Sequence, residues 1–448
     1  GFFLEADPAA NLSLVTRPRA TPLLTEVRTR RGRRHLWATF SHDQLDLDFS
    51  NPALLLEFVD IMLEYAARGA RVIRLDAIAY LWKRPGTPCI HLPETHTVVK
   101  VLRAVLDHAA PGTLLLTETN VPNAENRSYF GTPGPDGRGD EAHLIYQFSL
   151  PPLLLHALHT GSTRHLTRWA ADLAREPPPA GCTYLNFSAS HDGVGLRPLE
   201  GLVPGEEVAR LLEAMRARGG YIATRRRPDG SQAPYELNIS LFDACRDPAR
   251  PADPWQVPAF LLGQLVTLAM QGIPALNIHS LTATPNDHAG VERSGHTRAI
   301  NRRSWDRGEL ERLLADPGHP TARVFRALRH ALGVRRRHRA FHPDGAQEVL
   351  DLGGHLFGLV RTAPDGGERV LCLFNFTPET RSVSLDEPFW QAPPGAPWRD
   401  LLSGERAPTE RGRLVLPPYG AYWLVPGEQG PGPARPAARR TAPSRFRP

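Results

Sequence analysis

Two short apolar runs each finish on a carboxylate. Val72-Ile73-Arg74-Leu75 ends at Asp76, and Leu114-Leu115-Leu116-Thr117 ends at Glu118, 42 residues after that aspartate. Both runs are too short for helices and read as strands. A third run, Tyr184-Leu185-Asn186-Phe187, leads into Ser190-His191-Asp192-Gly193 and supplies another acid. Retaining glycosyl transfer needs a carboxylate to attack the anomeric carbon and a carboxylic acid to protonate the leaving oxygen, about 5 Å apart. Neighbouring strands lie about 4.8 Å apart, so acids at the C-terminal ends of adjacent parallel strands meet that requirement. Asp76 is expected to be the nucleophile and Glu118 the acid, with a pKa raised by its surroundings. Arg74 lies two residues before Asp76 and so shares its face of the strand, where it would keep Asp76 ionised and oriented. Plainer readings compete: Arg74 and Asp76 as a structural ion pair, and Asp192-Gly193 as a turn. In the functional reading His191 donates to a sugar hydroxyl and Asp192 holds the hydroxyls of the oxocarbenium-like transition state.

Other chemistries fit less well. Ser188, Ser190, His191 and Asp192 are too close in sequence for a triad, and no G-x-S-x-G occurs. His91 and His96 have no Cys or acid at metal-ligand spacing, so no metal site is expected. Gly193-Val194-Gly195 lacks the third glycine and the helix of a nucleotide loop.

The elements that must carry these acids alternate. Asn51 or Ser50 can cap a helix with Pro52 in its first turn, Leu54, Leu55, Phe58, Val59, Ile61, Met62 and Tyr65 on its apolar face, and an end at Gly69. After the strand ending at Asp76, the spacing predicts a helix over Thr95 to Ala109 with Val98, Val99, Val101, Leu102, Val105 and Leu106 inward, then the strand ending at Glu118. Leu144 to Phe148 is a further strand, followed about 40 residues on by the one before His191. Such alternation predicts a parallel sheet wrapped by helices. The next strand, Ile273 to His279, comes about 85 residues after Asp192, which predicts an insertion near 194–258 whose stretch Arg225 to Pro234 loops over the site. A helix over Thr321 to Arg337 precedes short strands at Leu356–Val360, Arg369–Phe374 and Arg413–Leu416, which predict an antiparallel β-sandwich over 344–426.

Composition bounds the partners. Of the formal net charge of +6, five charges are Arg435, Arg439, Arg440, Arg445 and Arg447 in a tail expected to be disordered, 427–448. The body is nearly neutral, so a nucleic-acid partner is not expected. Apolar runs never reach 18 residues, so neither is a membrane span. Cys89, Cys182, Cys245 and Cys372 are scattered and read as free thiols of a reducing compartment. With no basic n-region at the front, a cytoplasmic location is expected. The opening Gly1-Phe2-Phe3-Leu4, without an initiator Met, predicts a fragment.

The motifs resemble a known family. Val72-Ile-Arg-Leu-Asp-Ala-Ile-Ala-Tyr80, Thr117-Glu-Thr-Asn-Val-Pro122 and Ala189-Ser-His-Asp-Gly193 are similar to those of the fourth, fifth and seventh barrel strands of the α-amylase family, in the wording of its sucrose phosphorylase subgroup. Phe40-Ser-His-Asp-Gln44, Cys89-Ile-His-Leu92 and Ile300-Asn-Arg302 extend the resemblance, which covers residues 1 to about 426. It implies a partial TIM (β/α)8 barrel of about strands four to eight, with a C-terminal β-sandwich. It places a remnant of the domain inserted after the third strand at 1–50, strands four to seven at 51–193, and the insertion at 194–258. The eighth strand and flanking helices fall at 259–343. It also implies Asp76 as nucleophile, Glu118 as acid/base and Asp192 as transition-state stabiliser.

Members of the subgroup pass glucose from an α-glucoside to inorganic phosphate, yielding α-glucose 1-phosphate with retention. Phosphate is then the co-substrate, with no cofactor and no metal, and Arg17, Arg19 and Arg302 fall where phosphate would enter. Val15 to Leu24, Pro234-Tyr-Glu-Leu-Asn238 and Arg298-Ala-Ile-Asn-Arg302 resemble the glucosylglycerate phosphorylases more than the sucrose enzymes, which usually carry Gln in place of Glu236. The implied glucoside is 2-O-α-glucosylglycerate, with sucrose, sucrose 6'-phosphate and glucosylglycerol as alternatives. Tyr80, Tyr235, Glu236, Arg74 and His191 are the further substrate-binding residues implied. The glycerate carboxylate calls for a cation from His279, His288, Arg293, His296 or Arg298. The family's Asn-His motif after the third strand and an earlier aspartate are not in this sequence, which leaves an inactive fragment acting as a sugar-binding module as the other alternative. The sequence carries no reading of oligomeric state.

Overall fold

Asn51 starts the first helix as its position predicts. In the computed structural model, which describes residues 2–7, 9–19, 21–30, 32–226, 231–250, 252–384 and 397–427, the Asn51 side chain accepts the Ala53 N–H. Pro52 opens α1 (Pro52–Ala67), and Gly69, at φ +97°, lets the chain turn away after it. An antiparallel hairpin, β1 (Leu24–Thr29) and β2 (Gly32–Trp37), precedes the helix. Then follow β3 (Val72–Leu75), α2 (Pro93–Ala109), β4 (Leu114–Thr117), α3 (Asn123–Arg127), β5 (Leu144–Tyr146), α4 (Leu150–Thr160), α5 (Arg164–Arg175) and β6 (Thr183–Asn186). Past the third acid come β7 (Val194–Gly195), α6 (Gly205–Ala217), β8 (Tyr221–Arg226), β9 (Gln232–Asn238), α7 (Leu241–Ala244), α8 (Gln256–Ala269) and β10 (Ile273–Pro274).

The sheet that carries the acids has the order β10-β6-β5-β4-β3, every pair parallel. It is open among the described residues, with Val72 of edge strand β3 45% exposed and Leu56 and Tyr65 of α1 facing outward. Leu115, Ile145 and Tyr184 from the sheet, Leu153 and Leu154 from α4, and Leu262 and Val266 from α8 are buried together. Each such side chain contributes about 1.5–3 kcal/mol of burial. After residue 345 the chain forms β11 (Ala346–Leu350), β12 (Leu356–Thr362), β13 (Arg369–Asn375), β14 (Arg381–Ser384), β15 (Trp398–Asp400), β16 (Thr409–Glu410), β17 (Arg413–Leu416) and β18 (Ala421–Pro426). They make two antiparallel sheets, β11-β12-β13-β18-β15 and β14-β17-β16. Phe357, Phe374 and Trp423 of the larger sheet belong to the same buried cluster as the parallel sheet, so the two units share one core.

Four local expectations are corrected. The run Ile273 to His279 is a strand only to Pro274. Asn277 then caps a one-turn helix, Ile278–Leu281, by accepting the His279 N–H, so His279 is helical. Of the stretch Arg225 to Pro234 expected to loop, Arg225 and Arg226 end β8 and Gln232 to Pro234 open its antiparallel partner β9, while residues 227–230 lie outside the described residues. Val101 of α2 is exposed, while Arg103 turns inward to donate to the Glu141 carbonyl at 2.9 Å and pair with Asp107. On α1, Ile61 and Tyr65 face outward instead of into the core. The tail reading falls on residues outside the described set apart from Gly427. No helix among the described residues is long and apolar enough to cross a membrane.

Arg361 of β12 fastens the sandwich to the body. It is fully buried, burial draws its pKa down to about 10, and its guanidinium donates to the carbonyls of Ala269, His342, Gly345 and Ala346. Arg361→Met orphans these buried acceptors, at about 1–3 kcal/mol each where no other donor reaches them. Urea unfolding should show a loss of at least ~3 kcal/mol in this variant.

Candidate active site

The strand register sets the geometry of the first two acids. Leu75 of β3 pairs with Thr117 of β4, and the Glu118 N–H donates to the Leu75 carbonyl at 3.0 Å, so Asp76 and Glu118 follow on neighbouring rungs. Arg74 reaches both: Nη1 is 2.7 Å from Asp76 Oδ1 and Nη2 is 4.0 Å from Glu118 Oε2. Its guanidinium lies over the Tyr146 ring, 5.6 Å from the centroid. Immediately after the aspartate, Ala77 adopts φ +47°, a left-handed conformation unusual for a side-chain-bearing residue, and its N–H donates to Glu118 Oε2 at 2.9 Å. Burial pushes the Glu118 carboxyl above its ordinary pKa, and the Ala77 N–H and the Arg74 charge pull the other way. Asp76 is the more open of the two, with 72% of its side chain exposed against 15% for Glu118.

Asp192 is held from the opposite wall. Arg298 Nη1 and Arg302 Nη2 both bind its Oδ1, at 2.6 and 2.7 Å, and Asn301 donates its side-chain amide to the carbonyls of Ser190 and Asp192. Arg298 also forms a two-point pair with the buried carboxylate of Glu236 on β9, with one bond of 2.9 Å. Gly193 is therefore not serving a left-handed turn. A Cβ there would stand 2.6 Å from Glu236 Cγ and 2.7 Å from the Leu237 carbonyl, so glycine is what lets β9 approach the acid-bearing loop.

The three acids, Glu236, Arg298 and Arg302 line a cavity of about 460 Å³ at the C-terminal end of the parallel sheet. Tyr80, Tyr235, His191 and Arg19 line it as well. Burial holds the phenols of Tyr80 and Tyr235 above their ordinary pKa, keeping them as neutral donors. The Arg19 guanidinium lies 5.4 Å from the Tyr235 ring centroid and pairs with no carboxylate among the described residues. Arg17 does not line the cavity, and one of its contacts is a hydrogen bond to the Thr21 carbonyl. Arg74 stands behind the acids instead of on the cavity wall. Of the five cations named for the glycerate carboxylate, only Arg298 lines the cavity. Its importance to Asp192 was not visible in sequence, because it depends on a pairing across 106 positions. Asn120 and Phe148 also line the cavity without a sequence signal of their own.

Residues 356–423 match the family model described as Maltogenic Amylase, C-terminal domain. Over 424 residues the chain is 42% identical to the glucosylglycerate phosphorylase of Escherichia coli (strain K12), covering 94% of this chain and 72% of that protein. The chain belongs to the glucosylglycerate phosphorylase family. A second member, from Spirochaeta thermophila, is 42% identical over 432 residues, covering 95% of this chain and 72% of its own length. Among solved structures, the sucrose 6F-phosphate phosphorylase from Thermoanaerobacter thermosaccharolyticum aligns with a TM-score of 0.69 and 19% identity, over 84% of this chain and 72% of that one. A sequence of this family thus comes with an α-amylase-type fold, and the chain is a glycosyl-transferring enzyme.

Two outcomes follow from the charges around the acids. Glu236→Gln removes the charge that fixes Arg298, and kcat/KM should fall roughly 10-fold, about 1.4 kcal/mol. Arg74→Gln removes a cation that lowers the Glu118 pKa, so the acid form persists to higher pH. In the residual activity of that variant, the alkaline limb of the kcat/KM profile should move upward.

Proposed function

We propose that this protein is a retaining phosphorylase that moves glucose from 2-O-α-D-glucosylglycerate to inorganic phosphate, giving α-D-glucose 1-phosphate and glycerate. The observation that carries this reading is that Asp76, paired closely with Arg74, and Glu118, paired with it more distantly, both line a cavity whose Arg19 has no carboxylate partner among the described residues. An ion pair that only supported the fold would have no need to open onto such a cavity.

In the first half-reaction the Asp76 carboxylate attacks the anomeric carbon while Glu118 gives its proton to the glycosidic oxygen. Glycerate leaves, and the sugar remains as a β-glucosyl ester on Asp76. Burial suits Glu118 to the acid role, and the exposed, Arg74-paired Asp76 suits that of nucleophile. In the second half a phosphate oxygen attacks from the side glycerate vacated, its proton passes to the Glu118 carboxylate, and Asp76 is released. Two inversions give net retention. Asp192, with Oδ1 held by two arginines, is positioned to place Oδ2 against sugar hydroxyls as positive charge develops on the ring. Tyr80 and Tyr235 offer neutral donors, and His191 a further one. Arg19 and Arg302 supply charge for phosphate and for the glycerate carboxylate.

The five parallel strands correspond in this reading to strands four to eight of an eight-stranded barrel, with residues 194–258 as an insertion that delivers Tyr235 and Glu236. The test is release of glucose 1-phosphate from a panel of glucosylglycerate, sucrose, sucrose 6'-phosphate and glucosylglycerol, with and without phosphate. Phosphate-dependent release from glucosylglycerate is expected, together with a fall of at least ~10³ in kcat for Asp76→Asn, about 4 kcal/mol. Preference for another glucoside would overturn the substrate assignment, and phosphate-independent release of glucose would make the protein a hydrolase.

A further inference from the structure

Outside the sugar cavity, three helices aim their side chains at one point. His156 lies on α4, His165 in the first turn of α5 and Glu207 in the first turn of α6. The Nε2 atoms of His156 and His165 stand 2.9 and 3.2 Å from the same oxygen, Glu207 Oε2. All three potential ligand atoms lie within 4.8 Å of one another, and among the described residues no other three His, Cys, Asp or Glu groups converge in this way. None of them lines the sugar cavity. Their positions along the chain carry no metal-ligand signature.

We propose that His156, His165 and Glu207 form a binding site for a divalent transition-metal cation of the zinc type. In a tetrahedral zinc site with ligand distances of about 2.0–2.1 Å, ligand atoms stand about 3.3–3.4 Å apart. The two observed nitrogen-to-oxygen edges are within a few tenths of an ångström of that. Nitrogen and carboxylate ligands suit zinc, and three protein ligands leave one coordination position for water. The side chains are also partly withdrawn from solvent: His156 is 1% exposed, His165 16% and Glu207 28%.

Two features hold the affinity down. Nδ1 of His156 is buried without a hydrogen-bond partner among the described residues, so a cation on Nε2 would place the proton on an unsupported nitrogen. Lack of such support costs about 10–100-fold in affinity. Arg210, on the same helix as Glu207, also acts electrostatically on His156 and opposes a cation. The consequence for the fold is local. A bound cation would pin α6 to the α4–α5 pair, and α6 leads directly into the β8–β9 hairpin that carries Tyr235 and Glu236 to the cavity.

The alternative is a hydrogen-bonded triad in which Glu207 accepts from both imidazoles and no metal binds. Purified protein, stripped with chelator, is titrated with zinc by calorimetry and with cobalt(II) by visible absorption, and its melting temperature is followed. The expected result is one equivalent of cation per chain, a tetrahedral-type cobalt spectrum and a rise in melting temperature. Affinity should fall at least ~10-fold in Glu207→Gln and in His165→Gln, as loss of one of three ligands requires. The cobalt spectrum of the unaltered protein decides the matter even if a variant fails to fold. Absence of stoichiometric binding, or equal affinity in both variants from an adventitious ion only, would overturn the proposal.

Discussion

The guanidinium of Arg74 between Asp76 and Glu118 is the contact on which the proposed catalytic arrangement depends. Both acids sit one rung beyond a paired stretch of β3 and β4, so the parallel register brings them together before any side chain is considered. Like charges at that spacing would repel. One cation that is 2.7 Å from the first and 4.0 Å from the second leaves Asp76 as the closely paired member and Glu118 as the one whose burial can dominate. In the proposed mechanism the same motif that makes the pair also divides the roles, since burial raises the Glu118 pKa while Asp76 stays open to the cavity. The left-handed backbone at Ala77 completes the arrangement by turning an N–H onto Glu118.

The third acid is built on a different principle. Its position comes from loops and the β8–β9 hairpin rather than from the sheet, and charge replaces register as the fixing element. Arg298 links Asp192 to Glu236, Arg302 reinforces it, and Gly193 allows the hairpin close enough for the link to form. The site therefore has one wall set by strand pairing and another set by an ionic chain. A network of charges between loops and a hairpin can be retuned by substitution more readily than a sheet register, which makes this wall the natural place for specificity.

How much of this was legible in the sequence follows from the range of the interactions. The acids could be read because each ends a short apolar run, and Arg74 because a strand places residues two apart on one face. The helix beginning at Asn51-Pro52 could be read from its cap, and the later helix opens at Pro320, one residue before its expected start. Long-range pairings could not. Arg298 was one of five cations in a single stretch, and nothing local separated it from His288 or Arg293. Periodicity placed Val101 inward, but tertiary packing gave the position to Arg103, whose guanidinium satisfies a buried carbonyl. A continuous apolar run extended the strand at Ile273 too far, because Pro274 and the cap at Asn277 end it within two residues. The convergence of His156, His165 and Glu207 belongs to the same class, invisible until three helices are packed.

The central claim is that Asp76 carries glucose between the two half-reactions, and trapping that intermediate tests it most directly. Glu118→Gln protein incubated with α-glucosyl fluoride needs no acid to expel the leaving group, and it lacks the base that would speed the second step. Peptide mapping by mass spectrometry should then find one glucosyl unit on the peptide containing Asp76. A glucosyl unit on another carboxylate, or turnover of the fluoride to a β-configured product with no adduct, would contradict the account.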